Sequence, residues 1–241
     1  MNCGLVIIPT YNEIENIESI VRATFSLHKT FHILIVDDNS PDKTAQKVVE
    51  LQNEFPDKLF LENRSKKAGL GTAYVHGFKW ALSKNYDYIY EMDADFSHNP
   101  HDLEKLHDAC NFAGADFAIG SRYVTGVNVV NWPLSRVLLS YFASVYVRMI
   151  TGMKIHDATA GFICYKRNVL ENINLDKIKF IGYAFQIEMK YRVFAKKFII
   201  HEVPVIFTDR TKGQSKMSGA IIKEAVFGVL SLRIRKFFNR L

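Results

Sequence analysis

The sequence predicts a single α/β domain of Rossmann-like type with a mostly parallel central sheet. From the N-terminus to about residue 120, short apolar runs alternate with segments whose apolar residues recur at helical spacing. Strands and helices that alternate in this way form βαβ units, which place parallel strands side by side. A length of 241 residues suits one large domain, and the sequence contains no internal repeat or low-complexity linker that would divide it.

Five strands and four helices are predicted in the first half of the chain. Apolar runs predict strands over residues 4–8, 31–36, 58–61, 88–92 and 117–120. Helices are predicted over residues 13–27, 71–82 and 100–112, and a further helix after the second strand, with Ser40 as its N-cap and Pro41 as its first residue. Because ligands of parallel sheets bind beyond the carboxyl ends of the strands, the residues after each strand are candidate site residues.

The second half of the chain is less regular. Helices are predicted over residues 132–150, 182–195 and 219–238, with an extended run over 198–207 and a basic loop over 210–217. In the helix over 132–150, Arg136, Ser140, Ser144 and Arg148 form one polar stripe on an otherwise apolar surface. Such a helix lies either in the core with a polar seam or at a membrane interface. We predict a catalytic domain over 1–217 and a basic amphipathic helix over 218–241.

Composition and charge restrict the class of protein. Hydrophobic residues make up 48% of the chain and charged residues 23%, which excludes wholesale disorder. The net charge of +6 suits acidic small molecules, anionic lipid or nucleic acid. Cys3, Cys110 and Cys164 form no CxxC pair, which argues against structural zinc and a disulfide framework. Without a signal peptide or a spanning apolar stretch, we expect a cytoplasmic protein that lies peripherally on the membrane.

Two aspartates follow the fourth predicted strand. Asp93 and Asp95 are two residues apart, so both carboxylates point the same way if the chain stays extended. Two close carboxylates suit a hard divalent cation such as Mg²⁺ or Mn²⁺. A solvated turn is the alternative interpretation, and this motif alone leaves both open. His98, His101 and His156 lack metal-ligand spacing, and we interpret them as structural or surface residues.

The first two predicted strands also end in polar residues, PTYNE over 9–13 and DDNS over 37–40. In a parallel sheet these clusters share one rim with Asp93 and Asp95. A carboxylate about 4 Å from a phosphate charge costs roughly 4 kcal/mol at an effective dielectric constant near 20, so a diphosphate there requires a cation. Together with basic residues later in the chain, the rim predicts a nucleotide-diphosphate site; these basic residues are Arg122, Arg210, Lys212 and Lys216.

These motifs resemble those of the polyprenol (dolichol) phosphate mannose synthases, which are inverting family 2 glycosyltransferases of the A-type fold. The resemblance runs from about residue 5 to residue 230. It rests on VIIPTYNE (6–13), IVDDNSPD (35–42), KKAGLGTAYVHG (66–77), MDADFSH (92–98), GSRY (120–123), GYAFQIEM (182–189) and the DR…GQSK loop (209–216). The chain departs from other members at Ser97, Tyr141, Ala160 and Cys164.

The resemblance implies a role for each matching position. The nucleotide-sugar residues would be Pro9, Tyr11, Glu13, Val36, Asp38, Asp93, Ala94, Asp95, Arg210 and Lys216. Asp93 and Asp95 would hold Mg²⁺ or Mn²⁺ and, with Arg122, would be the catalytic residues. The acceptor phosphate would lie on Arg122, Arg136 and Ser140, and the resemblance places Gln186 and Glu188 near the sugar.

The implied activity is transfer of mannose from GDP-mannose to a polyprenyl phosphate on a membrane surface, which the protein would contact through the helices over 132–150 and 219–238 or through a membrane partner subunit. Alternatives are a polyprenyl-phosphate glycosyltransferase that uses UDP-glucose or another nucleotide sugar, a nucleotidyltransferase, and a basic membrane- or nucleic-acid-binding module without enzymatic activity. The PTYNE segment is unlike the Gly-rich loop that a nucleotidyltransferase carries after its first strand. The acidic strand ends argue against nucleic acid as a partner.

Overall fold

The computed structural model of the protein describes residues 4–182, 184–209 and 219–237. The strands are β1 (Gly4–Thr10), β2 (Phe31–Asp37), β3 (Leu59–Asn63), β4 (Tyr88–Glu91), β5 (Phe117–Ser121), β6 (Val129–Val130), β7 (Ile163–Lys166), β8 (Ile200–Pro204) and β9 (Phe207–Thr208). The helices are α1 (Ile17–Phe25), α2 (Thr44–Gln52), α3 (Leu70–Leu82), α4 (Asp102–Asn111), α5 (Leu134–Thr151), α6 (Arg167–Glu171), α7 (Ala184–Ala195) and α8 (Gly219–Phe237), with a 3₁₀ turn over Leu175–Lys177.

Within the described residues, the strands form a seven-stranded sheet in the order β3-β2-β1-β4-β7-β5-β8. The pairs β1–β2, β1–β4, β2–β3 and β5–β8 are parallel, whereas β7 lies antiparallel between β4 and β5. Strands β6 and β9 form a separate parallel pair beside the sheet. The predicted α/β class and the mostly parallel sheet are therefore confirmed.

Helices cover both faces of the sheet. Alternate strand residues point to opposite faces, so Leu5 and Ile7 of β1 pack into one core cluster and Val6 and Ile8 into the other. The first cluster also contains residues of α3, α5, α7 and α8, and the second contains residues of α1, α2 and α4. Parallel strands that are buried on both faces explain why the strand segments are continuous apolar runs in the sequence.

The predicted start of the second helix is wrong. Helix α2 begins at Thr44, and the residue before it, Lys43, has φ of 71° and therefore interrupts helical geometry. The Ser40 hydroxyl donates to Asp37 Oδ1 at 2.6 Å and accepts from the main-chain N–H of Asn12 at 3.0 Å. Ser40 thus ties the end of β2 to the segment after β1, and it does not cap the helix.

The C-terminal part matches the predicted elements in type but differs in detail. The extended run over 198–207 is divided into β8 and β9, and the basic loop over 210–217 lies largely outside the described residues. Val229 and Leu232 of α8 are buried in the first core cluster, so this helix packs on the domain. Among the described helices, none has both the length and the apolar character needed to cross a bilayer.

Candidate active site

The carboxyl ends of β1, β2 and β4 lie at one edge of the sheet. Parallel pairing places Thr10 beside Asp37 and Ile7 beside Glu91. The pairing continues past the strands, because the main-chain N–H of Asp38 donates to the Thr10 carbonyl at 3.0 Å and that of Met92 to the Ile7 carbonyl at 3.2 Å. The three acidic segments that follow these strands therefore leave the sheet at the same edge.

The segment after β1 offers an aromatic face and a carboxylate. Pro9, Tyr11 and Glu13 are half-buried, and the Lys67 ammonium lies 4.0 Å from the centre of the Tyr11 ring. The Glu13 carboxylate accepts from Asn16 Nδ2 at 2.9 Å, which orders the start of α1. This surface has the aromatic and polar groups that a nucleobase needs for stacking and hydrogen bonding.

The segment after β2 contains an ion pair that the sequence analysis missed. Asp38 is buried, and its Oδ1 accepts from Arg64 Nε at 2.6 Å. Arg64 also donates to the hydroxyl of Thr72 in α3 at 2.9 Å, which fixes the guanidinium. The side chain of Val36 lies fully inside the core, so any contact of Val36 with a nucleotide would come from its main chain.

Asp93 and Asp95 line a cavity of about 370 Å³ beyond the end of β4. Both are half-buried, and Ala94 between them is buried. Asp93 Oδ1 accepts from the Tyr74 hydroxyl at 3.4 Å, and Asp95 Oδ1 accepts from the main-chain N–H of Ser97 at 3.1 Å. Each carboxylate is thus oriented by the protein and presented at the cavity wall.

The donor set at this wall fits a hard divalent cation. Asp93 and Asp95 supply carboxylate oxygens, which Mg²⁺ and Mn²⁺ prefer, and a nucleotide diphosphate would add phosphate oxygens. In the described part of the chain, no group of three or more His, Cys, Asp or Glu side chains gathers as a complete metal shell. Magnesium commonly keeps water and substrate oxygens beside one or two carboxylates, so two protein ligands are sufficient for such a site.

His98 supports the Asp93 segment as a neutral base. Its ring stacks on Phe162 with centroids 4.8 Å apart, and its Nδ1 accepts from the main-chain N–H of Asp93 at 3.3 Å. Burial lowers the pKa of His98 to about 4, so the ring is uncharged near neutral pH. An uncharged imidazole does not offset the negative charge of the Asp93 and Asp95 carboxylates.

Arg122 lies on the same cavity wall and is paired with a buried carboxylate. Its Nε and Nη2 donate to the two oxygens of Asp157 at 2.7 and 2.6 Å, and its main-chain N–H donates to Oδ2 at 3.0 Å. Burial alone would raise the pKa of Asp157, but the Arg122 guanidinium lowers it below its ordinary value. The pair fixes the orientation of Arg122, which lines the cavity.

Arg136 and Ser140 of α5 complete this wall. The Arg136 guanidinium lies 4.1 Å from the centre of the Trp132 ring, and its Nη1 is 2.8 Å from Asp209 Oδ1. Ser140 follows one turn later and is half-buried. The structure therefore brings Arg122, Arg136 and Ser140 into one cavity with Asp93 and Asp95, whereas Arg210 and Lys216 lie outside the described residues.

The floor of the cavity contains Gln186, and Glu188 lies elsewhere. Gln186 Nε2 donates to Glu91, and the Tyr165 hydroxyl donates to the other oxygen of that fully buried carboxylate at 2.5 Å. Burial raises the pKa of Glu91 to about 7. Glu188 is also fully buried, but it accepts from the main-chain N–H of Lys179 at 3.0 Å and so orders the segment before α7.

The missed site residues are the partners of the residues that sequence reasoning found. Arg64, Asp157 and Asp209 are 26, 35 and 73 positions from Asp38, Arg122 and Arg136. A spacing of that size has no period that would reveal it in one sequence. The only available signal was general, since a buried charge needs a partner of opposite sign.

Comparison with known proteins places the chain in a family. The family described as "Glycosyl transferase family 2" matches residues 5–173. The polyprenol monophosphomannose synthase of Mycolicibacterium smegmatis is 49% identical over 98% of this chain and 89% of its own length. The undecaprenyl-phosphate mannosyltransferase of Micrococcus luteus is 43% identical over 93% of this chain and 91% of its own length.

Solved structures agree at the level of the fold. A glucosyl-3-phosphoglycerate synthase of Mycobacterium tuberculosis, in complex with Mn²⁺, uridine diphosphate and glucosyl-3-phosphoglycerate, has a TM-score of 0.68 and 14% identity, over 98% of this chain and 80% of that one. The same enzyme with phosphoglyceric acid has a TM-score of 0.71 and 16% identity, over 96% and 80%. By its sequence match and its A-type α/β architecture, the chain belongs to glycosyl transferase family 2.

Proposed function

We propose that the protein transfers mannose from GDP-mannose to the phosphate of a polyprenyl lipid, with inversion at the anomeric carbon. The observation that carries this proposal is one cavity lined by the carboxylates of Asp93 and Asp95 together with the guanidiniums of Arg122 and Arg136. Two relatives above 40% identity are named for mannose transfer to polyprenyl phosphates, and the chain spans nearly their whole length.

In this proposal the donor lies along the sheet edge. The guanosine would contact Pro9, Tyr11, Glu13 and Asp38 at the ends of β1 and β2, and the diphosphate would lie at Asp93, Ala94 and Asp95. Bound Mg²⁺ or Mn²⁺ would offset the negative charge of the diphosphate and of GDP as it leaves. Arg210 and Lys216 would add positive charge at the diphosphate.

The acceptor phosphate would lie against Arg122, Arg136 and Ser140. One of its oxygens attacks the anomeric carbon, the carbon–oxygen bond to GDP breaks, and the electron pair of that bond stays on the departing diphosphate. A phosphate oxygen is already ionised near neutral pH, so the reaction needs orientation and no strong general base. Gln186, which lines the same cavity, would contact the sugar.

The apolar part of the cavity suits the lipid. Leu139, Phe142, Ala143 and Tyr146 of α5 line it beside Arg136 and Ser140. Outside the cavity, apolar side chains of α5 remain exposed, including Leu134, Leu138 and Met149, which are four and eleven residues apart and so share one helix face. Phe227, Leu230 and Ile234 of α8 are exposed as well. We propose that these surfaces rest on the cytoplasmic face of a membrane, where the polyprenyl chain enters the cavity.

The activity is tested with purified protein, GDP-[¹⁴C]mannose, Mg²⁺ and a short-chain polyprenyl phosphate. We expect a labelled lipid product that forms from GDP-mannose much faster than from UDP-glucose, GDP-glucose or UDP-mannose. A faster reaction with UDP-glucose would assign a different donor. Absence of lipid product with every donor would contradict the proposal.

If α5 lies on a membrane, negative charge on its exposed apolar face should reduce binding to liposomes. Replacing Leu138 and Met149 together by glutamate should abolish most co-flotation with anionic liposomes, because charge on an inserted apolar face is strongly unfavourable. Neither residue lines the cavity, so hydrolysis of GDP-mannose in the absence of lipid should stay close to that of the unmodified protein. Phe112→Glu is the control for glutamate at an exposed apolar position elsewhere, since Phe112, directly after α4, is 75% exposed and Met149 is 79% exposed. Equal flotation of all three proteins would contradict the assignment of α5 to the membrane surface.

A further inference from the structure

Arg136 is held by two contacts of different kinds. Its guanidinium lies over the indole of Trp132 at 4.1 Å, and its Nη1 is 2.8 Å from Asp209 Oδ1. The Arg136 and Asp209 side chains are 20% and 27% exposed, so the ion pair is open to solvent, and Arg136 also lines the cavity. The stacking contact uses the face of the guanidinium, and the ion pair uses its edge. A ligand can therefore replace the carboxylate while the indole keeps the guanidinium in place.

The other cavity arginine is paired with a carboxylate that is more deeply buried. Asp157 is fully buried, receives three donors from Arg122 and cannot be displaced without opening the core. Of the two guanidiniums proposed to receive the acceptor phosphate, Arg136 is the one whose carboxylate partner is accessible to solvent. This difference follows from burial, since the Asp157 side chain is fully buried and the Asp209 side chain is 27% exposed.

We propose that Asp209 is a resident competitor of the acceptor phosphate: its carboxylate occupies the anion position on Arg136 until the phosphate displaces it. This inference rests on the proposed function, because it takes Arg136 as part of the acceptor site. A carboxylate and a phosphate within about 4 Å repel each other, so both cannot stay on one guanidinium edge. A phosphate monoester has a charge of about −1.5 to −2 near neutral pH and wins the exchange against a single carboxylate charge.

The competition has a consequence for the affinity of the acceptor site. An anion that takes the Asp209 position on Arg136 must displace this carboxylate, so Asp209 lowers the affinity of such anions by a similar factor. A polyprenyl phosphate has the apolar contacts of α5 as a further source of affinity, which inorganic phosphate lacks. Asp209 thus weakens the binding of anions at this position, and the lipid chain of the acceptor compensates for that loss.

The test is Asp209→Asn, which keeps the shape of the side chain and removes its charge. We expect the KM for a short-chain polyprenyl phosphate to fall about two- to five-fold, the range that corresponds to one partly exposed ion pair. The KM for GDP-mannose should not change. Inhibition by inorganic phosphate, measured against the lipid acceptor, should become stronger by a similar factor. Asp209→Glu, which restores the charge, should return both values toward those of the unmodified protein.

A control variant tests whether the effect is specific to Asp209, and a separate assay tests the acceptor site on which the inference depends. Glu171→Gln removes an exposed carboxylate that pairs with Arg167 outside the cavity, and it should change neither KM nor phosphate inhibition. An Asp209→Asn protein whose acceptor KM rises or stays constant would overturn the inference, because Asp209 would then position Arg136 or have no role there. If the unmodified protein makes no lipid product, or if Arg136→Gln leaves the acceptor KM unchanged, the proposed function or its acceptor site fails instead.

Discussion

Replacement of Asp95 by asparagine should lower mannosyl transfer by about 100- to 1000-fold while the protein remains folded. In the proposed function Asp95 helps to hold the cation that offsets the charge of the leaving GDP, and such stabilisation amounts to several kcal/mol, with a tenfold rate change for each 1.36 kcal/mol. The fold should tolerate the change, because asparagine Oδ1 can still accept from the main-chain N–H of Ser97. The measurements are kcat with GDP-mannose at saturating Mg²⁺ and the thermal unfolding midpoint.

A matched control distinguishes loss of the site from a general loss of negative charge. Asp108→Asn removes a half-exposed carboxylate on α4 that pairs with Lys29 and does not line the cavity. It should retain nearly full turnover. Turnover of Asp95→Asn within a few-fold of the unmodified protein would refute the assignment of Asp95 to the metal and diphosphate.

The strands and helices that the sequence predicts are those with a strong local pattern. β1 and β2 are buried on both faces and read as unbroken apolar runs, and α3 shows helical spacing next to them. Strand β7 was missed, because it has only four residues and inserts antiparallel between β4 and β5. Ser40 was misassigned because a serine before proline is typical of a helix start, while its observed hydrogen bonds run to Asp37 and Asn12.

The site also divides into residues that local sequence patterns predict and partners that lie far away in the sequence. Parallel topology alone predicts that acids after successive strands meet at one edge, and the register of β1, β2 and β4 places their ends there. Topology does not say which charge neutralises which. The pairing of Arg122 with a buried carboxylate and of Arg136 with a partly exposed one appears only in three dimensions. The two arginines of the cavity therefore differ in the burial of their carboxylate partners.

The largest effect on stability that we expect comes from removing Asp157, the buried partner of Arg122. Asp157→Ala should lower the free energy of unfolding by about 3–5 kcal/mol, because it leaves the Arg122 guanidinium buried without its counter-charge. For a chain of this size, each kcal/mol corresponds to about 2–4 °C, so the unfolding midpoint should fall by roughly 6–20 °C. The pKa of Asp157 is lowered in the folded state, so the pair stabilises fully above the ordinary value of 3.8 and is lost as the pH falls through the folded-state pKa.

The decisive comparison is the double variant Asp157→Ala with Arg122→Met. Removing both charges leaves no buried ion unpaired, so the double variant should be more stable than Asp157→Ala alone, although it should lose transfer activity with Arg122. Differential scanning calorimetry of the three proteins near neutral pH gives the answer. If Asp157→Ala unfolds at the temperature of the unmodified protein, then water solvates Arg122 or another acidic group neutralises it, and Arg122 does not depend on Asp157 for its stability. The expected result is restored stability without restored transfer. It would show that the stability of the core requires only that no buried charge is unpaired, whereas binding of the acceptor phosphate requires the Arg122 guanidinium.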